Sequence, residues 1–163
     1  MSPALVLVGP MGAGKTKVGR RVARLLGREF TDTDKMIVAD HGPIAAIFAE
    51  HGEPYFRRLE REAVVRALST DDVVSLGGGA VLDASTCADL ASQRVVYLTV
   101  SARAVEGRLG EGKRPLIRNG VSDWQRIFDE RRALYEEVAD LEIDTSHRPF
   151  DGIAEEVAAW ATT

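Results

Sequence analysis

Residues 4–27, ALVLVGPMGAGKTKVGRRVARLLG, read as a strand, a loop and a helix in immediate succession, and the reading of the loop decides the fold. ALVLV (4–8) is a short apolar run of the length and composition of a buried strand. KTKVGRRVARLLG (15–27) has helical period: Val18, Val22 and Leu25 or Leu26 share a face, Arg20, Arg21 and Arg24 lie away from it, and Gly27 suits the stop. Between them GPMGAGKT, Gly9 to Thr16, matches the phosphate-loop pattern G-x-x-x-x-G-K-[ST]. In such a loop glycines let backbone amides converge on phosphate oxygens. Lys15 then supplies charge to the outer phosphates, and Thr16 offers a hydroxyl to magnesium. The pattern lies between a predicted strand and a predicted helix, as that mechanism requires. A nucleoside triphosphate is the expected ligand.

The rest of the chain continues the alternation. Strands are expected at the end of FTDTD (30–34), at 73–76, 95–100 and 141–145. Helices are expected after FTDTD, at 44–52, 53–69, 84–91, 102–109, 122–139 and 152–161, with Ser122 as the N-cap of the long one. In that helix Trp124, Ile127, Phe128, Leu134 and Val138 face inward, and Trp124 and Trp160 read as packing residues. Residues 110–120, GEGKRPLIRNG, have no period and are predicted to form a mobile loop. Repeated strand–helix units imply an α/β fold, a parallel sheet with helices on both faces. The 163 residues fit one domain, 1–163.

Composition narrows the function classes. Apolar residues make up 45% and charged residues 28%, ordinary for a globular protein. No run is long enough to span a membrane, MSPALVLV lacks the form of an export signal, and Cys87 is the only cysteine, so a cytoplasmic protein is expected. A net charge of −4 without a basic stripe or interleaved aromatics argues against nucleic-acid binding. His41, His51 and His147 show no metal-ligand spacing with each other or with Cys87.

FTDTD sets Asp32 and Asp34 two residues apart. In an extended segment both carboxylates face one site, one serving magnesium and the other a substrate hydroxyl. The same residues equally suit an Asx turn that caps the next helix. VVSLGGGA ends a strand in Gly77–Gly79, where an open α/β sheet binds ligands and a backbone without side chains approaches them closely. Arg57, Arg114, Arg131 and Arg148 each lie near a different predicted site element, and guanidinium groups bind carboxylate or phosphate bidentately. Composition does not choose among them.

Taken together and in order, GPMGAGKT, DTD, FRRLE, SLGGGA, KRPL, RRALY and IDTSHRP resemble the shikimate kinase family over residues 9–149. The resemblance implies a nucleoside-monophosphate-kinase-like, three-layer sandwich on a five-stranded parallel sheet, with a mobile lid at about 110–120 and a substrate-binding region at about 33–61. It implies transfer of the ATP γ-phosphoryl to the 3-hydroxyl of shikimate, on the route to chorismate, by a monomer that uses Mg2+. Gly12, Ala13, Gly14, Lys15 and Thr16 would bind ATP, with Thr16 and Asp32 in the magnesium shell. Asp34 would meet the shikimate hydroxyls, and Arg57 and Arg131 would grip its carboxylate. Gly78 and Gly79 would line the pocket, and Glu60 would hold the arginines in place. Lys15, Asp34 and Arg114 would carry the chemistry, Arg114 arriving with the lid, while Arg108 and Arg148 would flank the adenine. Two pairs of adjacent cations arise; the FR-x-x-E spacing selects Arg57 over Arg58, and the spacing to Tyr135 selects Arg131 over Arg132. A gluconate-type kinase, or a nucleotide-sensing module without turnover, would share the loop and differ at the acceptor-side residues.

Overall fold

A computed structural model describes residues 3–108 and 120–163. Five strands form one sheet: β1 (Leu5–Val8), β2 (Phe30–Asp32), β3 (Val73–Ser75), β4 (Arg94–Thr99) and β5 (Leu141–Asp144). All pairings are parallel and the order is β2-β3-β1-β4-β5, so β1 is central. Every residue of β1 is buried, which is why its sequence is continuously apolar rather than alternating.

Eight helices cover the sheet among the described residues: α1 (Lys15–Leu26), α2 (Thr33–His41), α3 (Ile44–His51), α4 (Glu53–Leu68), α5 (Ala84–Leu90), α6 (Ala102–Glu106), α7 (Val121–Val138) and α8 (Phe150–Ala161). α1 buries Val18 and Val22, packs against α8, and stops at Gly27 with φ 66°, a left-handed cap that glycine adopts without strain. Each such fully buried valine contributes about 1.5–3 kcal/mol of burial. A second, smaller core of Ile37, Ile47, Phe56, Leu59 and Ala63 joins α2, α3 and α4.

Three local expectations change. α7 begins at Val121 behind Gly120, and Ser122 makes no capping bond; the exposed hydroxyl lies one position inside the helix. Arg131 and Tyr135 occupy buried positions of α7, whereas Leu134 and Val138 are only partly covered. DTD is not extended throughout. Asp32 ends β2 and caps α2, its carboxylate accepting from the amides of Asp34 and Lys35 at 2.9 and 3.3 Å, and Asp34 stands in the first helical turn. Strand geometry therefore does not align the two carboxylates; a helix start does. The loop at 110–120, Gly120 apart, lies outside the described residues.

Candidate active site

The phosphate loop joins the carboxyl end of β1 to the first turn of α1. Gly14 holds φ 94°, and a Cβ there would sit 2.8 Å from the Phe150 ring, so this turn requires glycine. Lys15 Nζ spans the loop and donates to the carbonyls of Gly9 and Pro10 at 2.7 and 3.1 Å. Thr16 Oγ1 donates to Asp32 Oδ2 at 3.1 Å. Asp32 thus uses one oxygen as a helix cap and presents the other to the phosphate loop, so the capping role leaves an oxygen beside Thr16. A cavity of about 300 Å³ lies over the loop, lined by Gly12, Gly14, Lys15, Thr16, Asp32 and Asp34 among others. Ala13 is buried beneath it, its carbonyl accepting from Thr145 Oγ1 at 2.7 Å.

The arginines sort by position. Arg108 lines the same cavity, donating to Gly12 O at 2.9 Å and to Thr145 O at 2.7 Å, with its guanidinium 5.2 Å from the Phe150 ring. Arg148 does not line it; its guanidinium pairs with Glu156 of α8 at 2.8 Å, and the side chain is nearly half exposed. Arg114 lies outside the described residues. Arg58 stacks over Tyr55 and Arg132 over Phe128, whereas Arg57 and Arg131 enter the site. In each adjacent pair, the cavity is lined by the member that the spacing selects.

A second cavity, of about 500 Å³, adjoins the first; Met11, Asp34, Gly77 and Gly78 line both. Register places it there, because Asp32 pairs with Ser75 and brings the DTD turn beside the glycine corner. The buried Thr33 fastens the two, its hydroxyl donating to Ser75 O at 3.4 Å and accepting from the Gly77 amide at 3.2 Å. Arg57 donates through Nη1 to Glu60 Oε1 at 2.8 Å and through Nε and Nη2 to Glu53 Oε2 at 3.2 and 3.1 Å. A side chain at either glycine would displace these charged groups: a Cβ at Gly79 would come within 2.6 Å of the Arg57 guanidinium, and one at Gly77 within 2.6 Å of Asp34 Oδ1 and 2.9 Å of Glu60 Oε2. Gly78 faces Arg131, and its carbonyl accepts from Tyr135 Oη at 2.5 Å. Phe48 and Phe56, with ring centroids 5.0 Å apart, form an apolar wall together with Phe128 and Trp124.

The electrostatics follow from burial. Glu60 is 3% exposed, and loss of water pushes its carboxyl up to about 7 despite the opposing Arg57 and Arg131; the Asp34 charge adds to the rise. Burial alone would lower the Arg57 guanidinium, yet pairing with Glu60 and Glu53 outweighs it and the net direction is upward. The Tyr135 hydroxyl is raised to about 12, chiefly by desolvation, so it is a neutral donor. Among the described residues no cluster of three or more His, Cys, Asp or Glu is placed to hold a metal. The Thr16 hydroxyl and Asp32 carboxylate nonetheless form a hard oxygen set that fits a magnesium ion bound mainly by phosphates and water.

The family model for shikimate kinase matches residues 11–162. The chain belongs to the shikimate kinase family. A shikimate kinase of Streptomyces coelicolor is 47% identical over 151 residues, covering 90% of this chain and 88% of that protein. A solved shikimate kinase of Acinetobacter baumannii in complex with shikimate superposes with a TM-score of 0.93 at 35% identity, over 99% of this chain and 94% of that one. A gluconokinase of Sinorhizobium meliloti reaches a TM-score of 0.63 at 19% identity, over 98% and 91%, a likeness of fold alone. The activity is therefore that of an ATP-dependent kinase acting on shikimate. No helix among the described residues is long and apolar enough to cross a membrane.

The site contains residues that pattern reading had assigned elsewhere. Trp124 is no mere packing residue, since its indole N–H donates to Met11 O of the phosphate loop at 2.7 Å. The spacing 124, 128, 131, 135 is one helical stripe, and that signal places Trp124 beside Arg131. Thr33 and Thr145 carry no such signal; each matters through contacts distant in sequence.

Proposed function

We propose a division of labour for phosphoryl transfer from ATP to the 3-hydroxyl of shikimate, carried by one observation: a cavity walled by Arg57, Arg131 and Asp34 opens directly beside the phosphate-loop cavity and shares its wall. Gly12–Thr16 and Lys15 hold the triphosphate, and Lys15 follows the charge that grows on the transferring oxygens. A magnesium ion, set by Thr16 and Asp32, would neutralise phosphate charge and keep the outer phosphates in line. Asp34 orients the acceptor hydroxyl and takes its proton. Arg57, stiffened by Glu60 and Glu53, and Arg131 grip the ring carboxylate, with Gly78 and Gly79 giving the ring room. Arg108 braces the nucleotide side, and Arg148 and Arg114 complete it, Arg114 from the loop at 110–120. Residues 1–163 act as one kinase domain, a monomer working in the cytoplasm, with 33–61 as its acceptor side.

The apolar wall favours a ring acid over an open-chain one. Phe48, Phe56 and Phe128 cover the C–H face of a cyclohexene, whereas gluconate carries hydroxyls along its whole chain and would leave them unpaired against these rings. ADP release with Mg-ATP is measured with shikimate, with gluconate and without acceptor. Shikimate-dependent release supports the assignment. Release with gluconate alone overturns it, and nucleotide binding without acceptor-dependent release indicates a nucleotide-sensing module.

A further inference from the structure

The stripe Trp124–Phe128–Arg131–Tyr135 is the only continuous side of α7 that is buried. Its rings touch in series, with centroids 5.1 Å apart for Trp124–Phe128 and 6.4 Å for Phe128–Tyr135, and Tyr135 stacks on Tyr97 of β4 at 5.3 Å. Hydrogen bonds leave the two ends of the stripe for two different loops. Tyr135 donates to Gly78 O in the glycine corner, and Trp124 donates to Met11 O in the phosphate loop. Arg131 lies between them and faces the acceptor cavity. Trp124 is 2% exposed, so its indole N–H is shielded from water and is committed to the half-buried Met11. Met11 itself lines both cavities.

We propose that Trp124 is a positioning residue: its indole N–H holds the Met11 carbonyl, and through it the phosphate-loop backbone, in the nucleotide-binding arrangement, and makes that arrangement sensitive to an acceptor gripped by Arg131 on the same helix face. Met11 is two residues from the loop amides of Ala13 and three from Gly14, so rotating its peptide re-aims the donors that face the triphosphate. An anion bound at Arg131 loads the stripe and stabilises the same loop arrangement. Coupling of this kind is reciprocal, so the nucleotide also favours the acceptor. The inference rests on the proposed assignment of Arg131 to the acceptor, while its first half concerns the nucleotide alone.

Trp124→Phe keeps an aromatic ring against Phe128 and removes only the donor. Affinity for Mg-AMPPNP is measured by calorimetry, with and without saturating shikimate, for wild type and variant. We expect nucleotide affinity to fall about tenfold in the variant, the upper end for one lost hydrogen bond. The gain in nucleotide affinity that shikimate gives the wild type disappears in the variant. Unchanged nucleotide affinity overturns the proposal. So does a shikimate-dependent gain that survives undiminished in the variant, since a merely structural residue lowers nucleotide affinity without removing that gain. Wild type that fails to bind shikimate counts against the functional assignment and not against Trp124, whose nucleotide-affinity arm is read separately. Should Trp124→Phe not fold, Trp160→Phe leaves Trp124 as the sole indole, and Mg-AMPPNP alone must then shift its emission. An emission unmoved by nucleotide overturns the proposal as surely.

Discussion

Lys15 is the residue whose role depends least on the acceptor. Its ammonium spans the phosphate loop between the Gly9 and Pro10 carbonyls, and ATP replaces those neutral partners with phosphate oxygens that gain charge during transfer. Lys15→Ala is expected to lower kcat by about 10²–10³-fold, the scale of one lost transition-state donor, measured as ADP release at saturating substrates. Glu60 makes a separate prediction about pH. Its carboxyl is raised from an ordinary 4.5 to about 7 in the folded protein, so the folded state holds a proton there that the unfolded chain gives up. Stability from this group is full below about pH 4.5 and is lost as pH rises through about 7. Glu60→Gln mimics the protonated form, so its melting temperature should gain on wild type between about pH 4.5 and 7 and level off above; a difference that stays constant from pH 4.5 to 7 contradicts the assignment. The placement of Lys15, Thr16, Arg57 and Glu60 around the two cavities follows from local spacing and was legible in the sequence. The pairing of Arg148 with Glu156 was not, because it depends on where α8 begins, and Thr145 matters only after β5 is laid beside β4.

At the scale of elements, the strands and helices follow the alternation of apolar period, since each must bury one face to exist. The boundaries that shifted did so for identifiable reasons. Asp32 satisfies amides at the start of α2, which ends β2 at Asp32 rather than at Asp34 as an extended DTD would. Gly120 occupies the capping position of α7, leaving Ser122 inside the helix. The carboxyl end of α8 shows a device with no sequence signature. Arg94, at the start of β4, donates to the carbonyls of Trp160 and Thr163 at 3.1 and 3.2 Å and lies 4.1 Å from the Trp160 ring centre. These bonds satisfy carbonyls that a helix end leaves open. Arg94→Ala should cost about 1–2 kcal/mol, a fall of several degrees in melting temperature at this chain length. Steady-state constants should stay as in wild type, because the contact lies far from both cavities; a changed KM for either substrate contradicts this reading.

Across the whole molecule, the sheet order puts β1 between β3 and β4, so the phosphate loop and the glycine corner emerge side by side at the carboxyl ends of neighbouring strands. A smaller core under α2, α3 and α4 then builds the acceptor wall beside them. The sequence carried the class of this architecture, because alternating strands and helices admit few arrangements, but not the strand order, which depends on crossovers of unequal length. Nor did it show that the two cavities share Met11, Asp34, Gly77 and Gly78, the feature that makes transfer between them geometrically direct. The central claim is that the larger cavity selects shikimate through its carboxylate. The measurement that tests it is kcat/KM for shikimate and for its methyl ester, in wild type and in Arg131→Ala. Wild type should prefer the acid by about 10–100-fold, the range for one lost charge-assisted pair, and Arg131→Ala should lose much of that preference, Arg57 keeping the remainder. Equal use of acid and ester by wild type, or a preference that survives in Arg131→Ala undiminished, would contradict it.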